Sequence, residues 1–262
     1  MEYSFLKSIN VKGWRYPKIF CFKNQLYLTA GSVFIDKGNI KQYAPNIIKL
    51  NENFEIMGKS RRLNFKGIEF LNKDDTSCWV RDINVLDDKI EMSLEIKINI
   101  NNEKYIHNNY VVSSKDLINF SIKKKYKYEN SFIFKEITRN DDNYIISSKI
   151  ELDGDYFWGK YLFEIIKNGQ VIQPIFDNIV NFQEDKGHVC GGIKEIKDNK
   201  YSMLFSIRHN PKKGDLHKSI YKVYSAETND FINYYNTKKI LLTGYNQSEW
   251  YSYPSILKYK ND

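Results

Sequence analysis

One short pattern recurs down this chain, and its spacing limits the available folds more than any other feature. Trp79-Val80-Arg81-Asp82-Ile83 runs through Leu86-Asp87-Asp88-Lys89 into the alternating stretch 90–94. A polar turn bounded by β-formers is a hairpin signal. Tyr16-Pro17-Lys18-Ile19-Phe20, Lys135-Glu136-Ile137 and Gly192-Ile193-Lys194-Glu195-Ile196 open three further copies, each with its own polar turn and second strand. A fifth copy begins at Tyr253-Pro254-Ser255-Ile256-Leu257 and reaches Lys260-Asn261-Asp262.

With positions 17, 82, 136, 192 and 254 taken as equivalent, the steps are 65, 54, 56 and 62 residues. Hairpins at such a period, with almost no helical pattern, mean one antiparallel sheet per repeat. Four-stranded sheets repeated radially make a β-propeller. The expected fold is therefore all-β, a five-bladed β-propeller of four-stranded antiparallel blades. The competing fold is a β-sandwich, which has frequent strand signals but no reason for a long period. The short alternating stretch 3–6 is expected to close the last blade.

The aromatic content (20 Tyr and 16 Phe) suits strands. No Pro/Gly/Ser-rich linker appears, so a single domain over 1–262 is expected. The first thirteen residues lack a basic-then-apolar signal, and no apolar run approaches a membrane span, which suggests a cytoplasmic protein. Cys21, Cys78 and Cys190 are widely spaced without a C-x-x-C, and read as small buried hydrophobes near strands. The net charge of +8 comes from lysines spread through all repeats, so no nucleic-acid partner is inferred. The densest cluster, Lys123-Lys124-Lys125-Tyr126-Lys127, is expected in a solvated connection, where phosphates or acidic glycans are the alternative reading.

In blade one, a third strand is expected at 46–50 and a fourth at 54–56. In blade two, a polar loop at 99–104 precedes a third strand at 110–114. Ser113-Ser114-Lys115-Asp116-Leu117-Ile118-Asn119-Phe120 then forms a tight turn, and its counterpart in blade four is Asn229-Asp230-Phe231-Ile232-Asn233-Tyr234. The Asp in each can cap turn amides, a structural role. Blade three has an aromatic loop at 154–159, a strand at 160–165 and an Asn168-Gly169 turn. A basic loop spans 208–214.

Stretch 113–120 resembles the Ser-x-Asp-Leu-x-x-Trp signature of five-bladed propeller glycosidases. These are the arabinanase/xylosidase and invertase-like glycoside hydrolases, families 43 and 32, with their phosphorylase relatives. Arg81-Asp82 resembles the Arg-Asp-Pro that opens the second blade of invertase-like members, with Ile83 replacing Pro. The resemblance implies acidic residues at the starts of the innermost strands: a base or nucleophile in blade one, a stabilising Asp in blade two and an acid Glu in blade three. Asp82 matches the stabiliser and Glu136 the general acid. Blade one departs, with Tyr16 before Pro17 where Asp is implied, and Asp36 on the loop after the second strand. His188 resembles a blade-four His that lies near a channel ion in some relatives, yet one His does not build a metal site. No metal and no cofactor are expected.

Glycoside hydrolysis needs two carboxyl groups, one to protonate the leaving oxygen and one to activate water or attack carbon. Asp82 and Glu136 could supply the pair in reassigned roles. The substrate-binding set on the same blade face is Trp14, Tyr16, Trp79, Arg81, His188, Arg208, His209, Trp250 and Tyr253. Aromatic rings suit stacking on sugars, while Arg and His suit hydroxyls, carboxylates or phosphates. The expected partner is a carbohydrate or sugar-containing ligand, handled by a hydrolysing or glycosyl-transferring enzyme, as in intracellular surface-polysaccharide metabolism. The alternative is a non-catalytic sugar-binding or protein-interaction propeller. Phosphate-binding glycine loops, G-x-S-x-G, H-E-x-x-H and dinucleotide fingerprints are absent from the sequence.

Overall fold

The hairpin turns set the architecture. Lys23-Asn24 (φ 49° and 58°), Asn140-Asp141 (48° and 64°) and Asn168-Gly169 (49° and 86°) each place both central residues at positive φ. That is the type I′ geometry, whose twist matches the strands it joins. A computed structural model describes residues 14–36, 39–68, 76–101, 104–128, 131–151, 160–178, 188–209 and 220–240.

The first blade contains β1 (Trp14–Phe22), β2 (Gln25–Asp36), β3 (Asn39–Leu50) and β4 (Ile56–Arg62), followed by a short strand β5 (Asn64–Lys66). The second contains β6 (Thr76–Val85), β7 (Ile90–Asn101), β8 (Lys104–Ser114) and β9 (Asn119–Lys125). The third contains β10 (Ser131–Arg139), β11 (Asp142–Glu151), β12 (Lys160–Lys167) and β13 (Gln170–Ile172), followed by β14 (Ile175–Phe176). The fourth contains β15 (His188–Lys197), β16 (Lys200–His209), β17 (Ile220–Thr228) and β18 (Asn233–Lys239). Within each blade, consecutive strands are neighbours.

Among the described residues four blades stand where five are expected. The fifth copy at 253–257, the closing stretch 3–6 and the aromatic loop 154–159 lie outside the described residues.

The described residues form two compact units, one up to Ser131 and one from Phe132 onward. In the first, Phe20, Tyr27 and Ile47 of the first blade pack with Cys78, Val80, Leu94, Ile96 and Tyr110 of the second. In the second, Phe134, Ile146, Phe163 and Ile165 of the third blade pack with Met203, Phe205, Phe231 and Tyr234 of the fourth. Each large apolar side chain so buried contributes roughly 1.5–3 kcal/mol.

The paired turns of the second and fourth blades are built alike. Leu117 and Phe231 take positive φ (65° and 63°) and are buried. Ser114 Oγ accepts from the Leu117 amide at 3.0 Å, and Thr228 Oγ1 accepts from the Phe231 amide at 2.9 Å. Asp116 Oδ1 accepts from the amides of Ile118 and Asn119, both at 2.8 Å. Asp230 Oδ1 accepts from those of Ile232 and Asn233, at 2.9 and 2.7 Å. Each turn then receives an added parallel strand: β5 on β9 and β14 on β18. The Asn64 amide donates to Ile118 O, and the Ile175 amide to Ile232 O, both at 2.8 Å. The expected structural role of these turn residues holds.

Several boundaries differ from expectation. Phe54 lies in a turn at φ 58° rather than in a strand, where Asn51 Oδ1 accepts from the Asn53 and Glu55 amides. The fourth strand therefore starts at Ile56. The supposed polar loop at 99–104 is mostly strand, since β7 reaches Asn101 and β8 begins at Lys104. Lys123, Lys124 and Lys125 lie on β9 rather than in a connection. Asp36 ends β2, opposite Asn39.

Burial pushes the Asp230 carboxyl up, but hydrogen bonds from Asn233, Ile232 and Thr228 outweigh it and hold it below the usual range. For Asp116, the Asn119 side chain is the main cause of the same downward shift. A depressed carboxylate pKa stabilises the fold fully above the unfolded value near ~4 and less as pH falls through the native value. Asp230→Ala should cost about 1 kcal/mol at neutral pH, like a lost helix cap, and the more exposed Asp116→Ala should cost less. Urea unfolding across pH should show each variant converging on wild type in acid.

Candidate functional site

A bulge in β6 sorts the second blade into two chemically different faces. Val80 pairs with Leu94, but Asp82 pairs with Ser93, leaving Arg81 as the extra residue. Strict alternation would put Asp82 on the face of Cys78 and Val80, which is the apolar core. The extra residue moves Asp82 to the face of Ser93 and Glu95, and returns Ile83 to the core opposite Met92. The polar face thus collects Trp79, Asp82, Glu95 and Lys97 with His107 and Asn109 of β8, which pair with Lys97 and Glu95.

The same irregularity marks other first strands. In β1, Tyr16 and Pro17 together oppose Ala30, between the pairs Arg15–Gly31 and Lys18–Thr29. In β15, Gly191 is extra between Cys190 and Gly192. Positions 17, 82 and 192 of the sequence period lie at or beside these bulges.

At the centre is a buried ion-paired group. Glu95 is fully buried, with Arg81 at 4% and His107 at 7% exposure. Arg81 Nε donates to Glu95 Oε2 at 2.6 Å, and the guanidinium Nη2 also contacts that oxygen. His107 Nδ1 lies 2.6 Å from Oε1. An ionised carboxylate only accepts, so Nδ1 carries the proton that faces Glu95. Burial pushes the Glu95 carboxyl up, but the Arg81 charge and the His107 hydrogen bond hold it below the usual range. The Trp79 ring lies 5.6 Å from the Arg81 guanidinium, within cation–π range. Burial lowers the Lys97 pKa, opposed by Glu95. Burial also raises the Cys78 thiol, making it an inert core residue. Asn109 Nδ2 donates to Ser131 O at 2.6 Å.

The expected residues distribute as follows. Trp79, Arg81 and Asp82 share β6; Trp79 and Arg81 are buried, and Asp82 is half-buried. Asp82 lies in the second half of that strand rather than at its start. Glu136, on β10, is likewise past the middle of its strand, half-buried, and accepts from Asn143 Nδ2 at 2.7 Å. Trp14 and Tyr16 lie on β1, on the N-terminal side of Lys18. His188 opens β15 opposite Ile207, and Arg208 and His209 close β16, so these three share the open end of one hairpin. Trp250 and Tyr253 lie outside the described residues.

Glu95, Lys97, His107 and Asn109 escaped the sequence reading. The signal for Glu95 and Lys97 was there, in polar residues at every second position from Glu91 to Lys97, but such alternation ordinarily denotes a solvated face. His107 lies in the N-terminal half of β8, ahead of the 110–114 expected for that strand. Among the described residues no group of three or more His, Cys, Asp and Glu side chains could hold a metal, and no helix is long and apolar enough to cross a membrane.

No family model matches the sequence. No curated protein matches it either. The fold, by contrast, has solved counterparts. One belongs to the GH130 mannoside phosphorylase family, which contains hydrolases that target β-1,2 mannosidic linkages in Candida mannan; the TM-score is 0.54 at 10% identity, covering 95% of this chain and 79% of that one. A second is a GH43_1 enzyme from Xanthomonas citri complexed with xylotriose (TM-score 0.53, 10% identity, 97% and 81% coverage). A third is a mannose phosphorylase from Leishmania mexicana in complex with phosphate ion (0.53, 10%, 88% and 70%). The chain spans 42% of the length of a matched xylan β-1,4-xylosidase and 66% of a matched α-L-arabinofuranosidase. At these identities the likeness shows the fold, an all-β propeller of antiparallel blades.

Glu95→Ala should destabilise the protein by about 3–5 kcal/mol, because it leaves the Arg81 charge buried and unpaired. Replacing all three members together (Arg81→Met, Glu95→Leu, His107→Leu) should recover most of that loss. Urea unfolding of the two proteins against wild type measures the difference, and equal losses in both would refute the ion-pair account.

Proposed function

We propose that this chain is a glycan-directed enzyme of the propeller glycosidase type, hydrolysing or transferring a glycosyl group by carboxylate acid/base chemistry. In this reading 1–262 is a single five-bladed domain, and Asp82 and Glu136 are its acid/base pair. Trp14, Tyr16, Trp79, Arg81, His188, Arg208, His209, Trp250 and Tyr253 form the sugar-binding set.

The observation that carries the reading is the β6 bulge, which transfers Asp82 from the apolar face to the polar face. A bulge weakens the ladder, and bulges are frequent beside active sites because they re-aim a side chain. Next to it, Arg81, Glu95 and His107 are buried together, although apolar residues of similar volume commonly stabilise a core as well or better. Buried, mutually oriented ionisable groups are a mark of functional sites. Arg81 is adjacent to Asp82 in sequence and locked to Glu95, so it fixes the backbone from which Asp82 projects. Solved structures of the same fold include glycoside hydrolases and phosphorylases, which supports the substrate class.

A second reading, a non-catalytic sugar-binding propeller, is favoured by Tyr16-Pro17. These residues occupy the β1 bulge where the glycosidase resemblance implies an Asp.

A turnover and thermal-shift screen of wild type and Asp82→Asn, against aryl glycosides, oligosaccharides and nucleotide sugars, separates the readings. The enzyme reading expects turnover by wild type and a loss of about 10²–10⁴-fold in Asp82→Asn, with ligand-induced stabilisation kept. Stabilisation without turnover in either protein would establish the binder and remove the enzyme.

A further inference from the structure

We infer that the outer strands of the first two blades form a binding surface for an anionic, carboxylate-bearing polysaccharide. This rests on the glycan-directed reading above and adds a second ligand surface, away from the β6 bulge. The strands are β4, β5 and β9, with sequences IMGKSRR, NFK and NFSIKKK. Seven of their seventeen residues are Lys or Arg, and none is Asp or Glu. Every residue of β4 is exposed, and on β5 and β9 only Phe65 and Phe120 are buried. The chain passes from β4 through Leu63 directly into β5, which pairs with β9, so the charges follow one continuous ribbon.

The ribbon is ordered as well as charged. Lys124 Nζ lies 4.8 Å from the Tyr126 ring and Lys125 Nζ 5.8 Å from the Tyr110 ring. Lys123 Nζ contacts Glu91 Oε1 at 2.7 Å. β4 is bulged between Met57 and Arg61 and β9 at Lys123, so the cations follow the ribbon without strict alternation, spread along the path of an extended polyanion. Asn64 and Asn119, joined at 3.1 Å, add exposed amides that suit hydroxyl groups.

Charged outer strands also protect sheet edges from aggregation, but that need applies to every blade. In the other unit the outer strands β13, β14 and β18 carry two lysines in twelve residues. The concentration in the first unit therefore calls for a partner. Single-stranded nucleic acid fits poorly, because such sites stack bases on exposed rings. The rings on these strands, Phe65 and Phe120, are buried, as are Tyr110 and Tyr126, which the β9 lysines contact.

The test uses the full chain, titrated with polygalacturonate, with neutral xylan, and with single-stranded and duplex DNA, over a range of NaCl concentrations. Three variants accompany wild type: Lys59→Gln/Arg61→Gln/Arg62→Gln, Lys123→Gln/Lys124→Gln/Lys125→Gln, and a control of equal charge loss, Lys197→Gln/Lys238→Gln/Lys239→Gln. The expected result is salt-sensitive binding of polygalacturonate but not xylan, weakened about tenfold by either ribbon variant, with a shallower salt dependence, and little changed in the control. Equal weakening by the control would reduce the effect to net charge and overturn the inference. So would tighter binding of either DNA, or no polygalacturonate binding at low salt. The titration is repeated on Asp82→Asn, where retained binding supports the ribbon whether or not the wild type turns over any glycoside.

Discussion

The second blade depends on one buried carboxylate. Glu95 accepts from Arg81 on the preceding strand and His107 on the following one, tying three strands together through side chains as well as backbone. Taking these groups out of water is costly unless each is paired and hydrogen-bonded. The geometry meets that requirement only because Arg81 is the extra residue of a bulge. Bulge, ion pair and the facing of Asp82 are thus a single constraint. Shifting the register by one residue would expel Ile83 from the core and put Asp82 into it.

The outer half of the blades rests on a different device. At Ser114–Asp116 and Thr228–Asp230, a hydroxyl and a carboxylate together satisfy four backbone amides of a turn that must hold a bulky residue at positive φ. Positive φ disfavours Leu and Phe, yet both side chains are buried. The polar cage compensates backbone strain so that an apolar plug can seal the blade, and it presents the carbonyl that accepts the added parallel strand.

Much of this was legible in the sequence because it is local. The Lys23-Asn24, Asn140-Asp141 and Asn168-Gly169 hairpins follow from residues that tolerate positive φ, and the Asp-centred turns from side chains that bond amides two and three positions on. Phe54 was misread because its apolar character suggested a strand, while Asn51 holds it in a turn. The buried cluster was illegible for a non-local reason. A polar residue at every second position has the same pattern whether its face meets water or a partner, and only the pairing of Glu95 with Arg81 and His107 distinguishes the cases.

The bulges explain why the long period was visible without a conserved motif. Each requires an interruption in the first strand at one place, but not one particular residue. Pro17 suits such a site because it lacks the amide that a regular ladder would use; Gly191 suits it because it has no side chain to place. Arg81 instead turns the extra position into an electrostatic anchor. The scaffold therefore repeats a backbone event while leaving its chemistry open. In the described blades with a defined bulge, only the second couples that event to a buried carboxylate and an adjacent Asp. The chemical asymmetry of these blades resides in the occupants of a repeated irregularity, rather than in departures from the repeat.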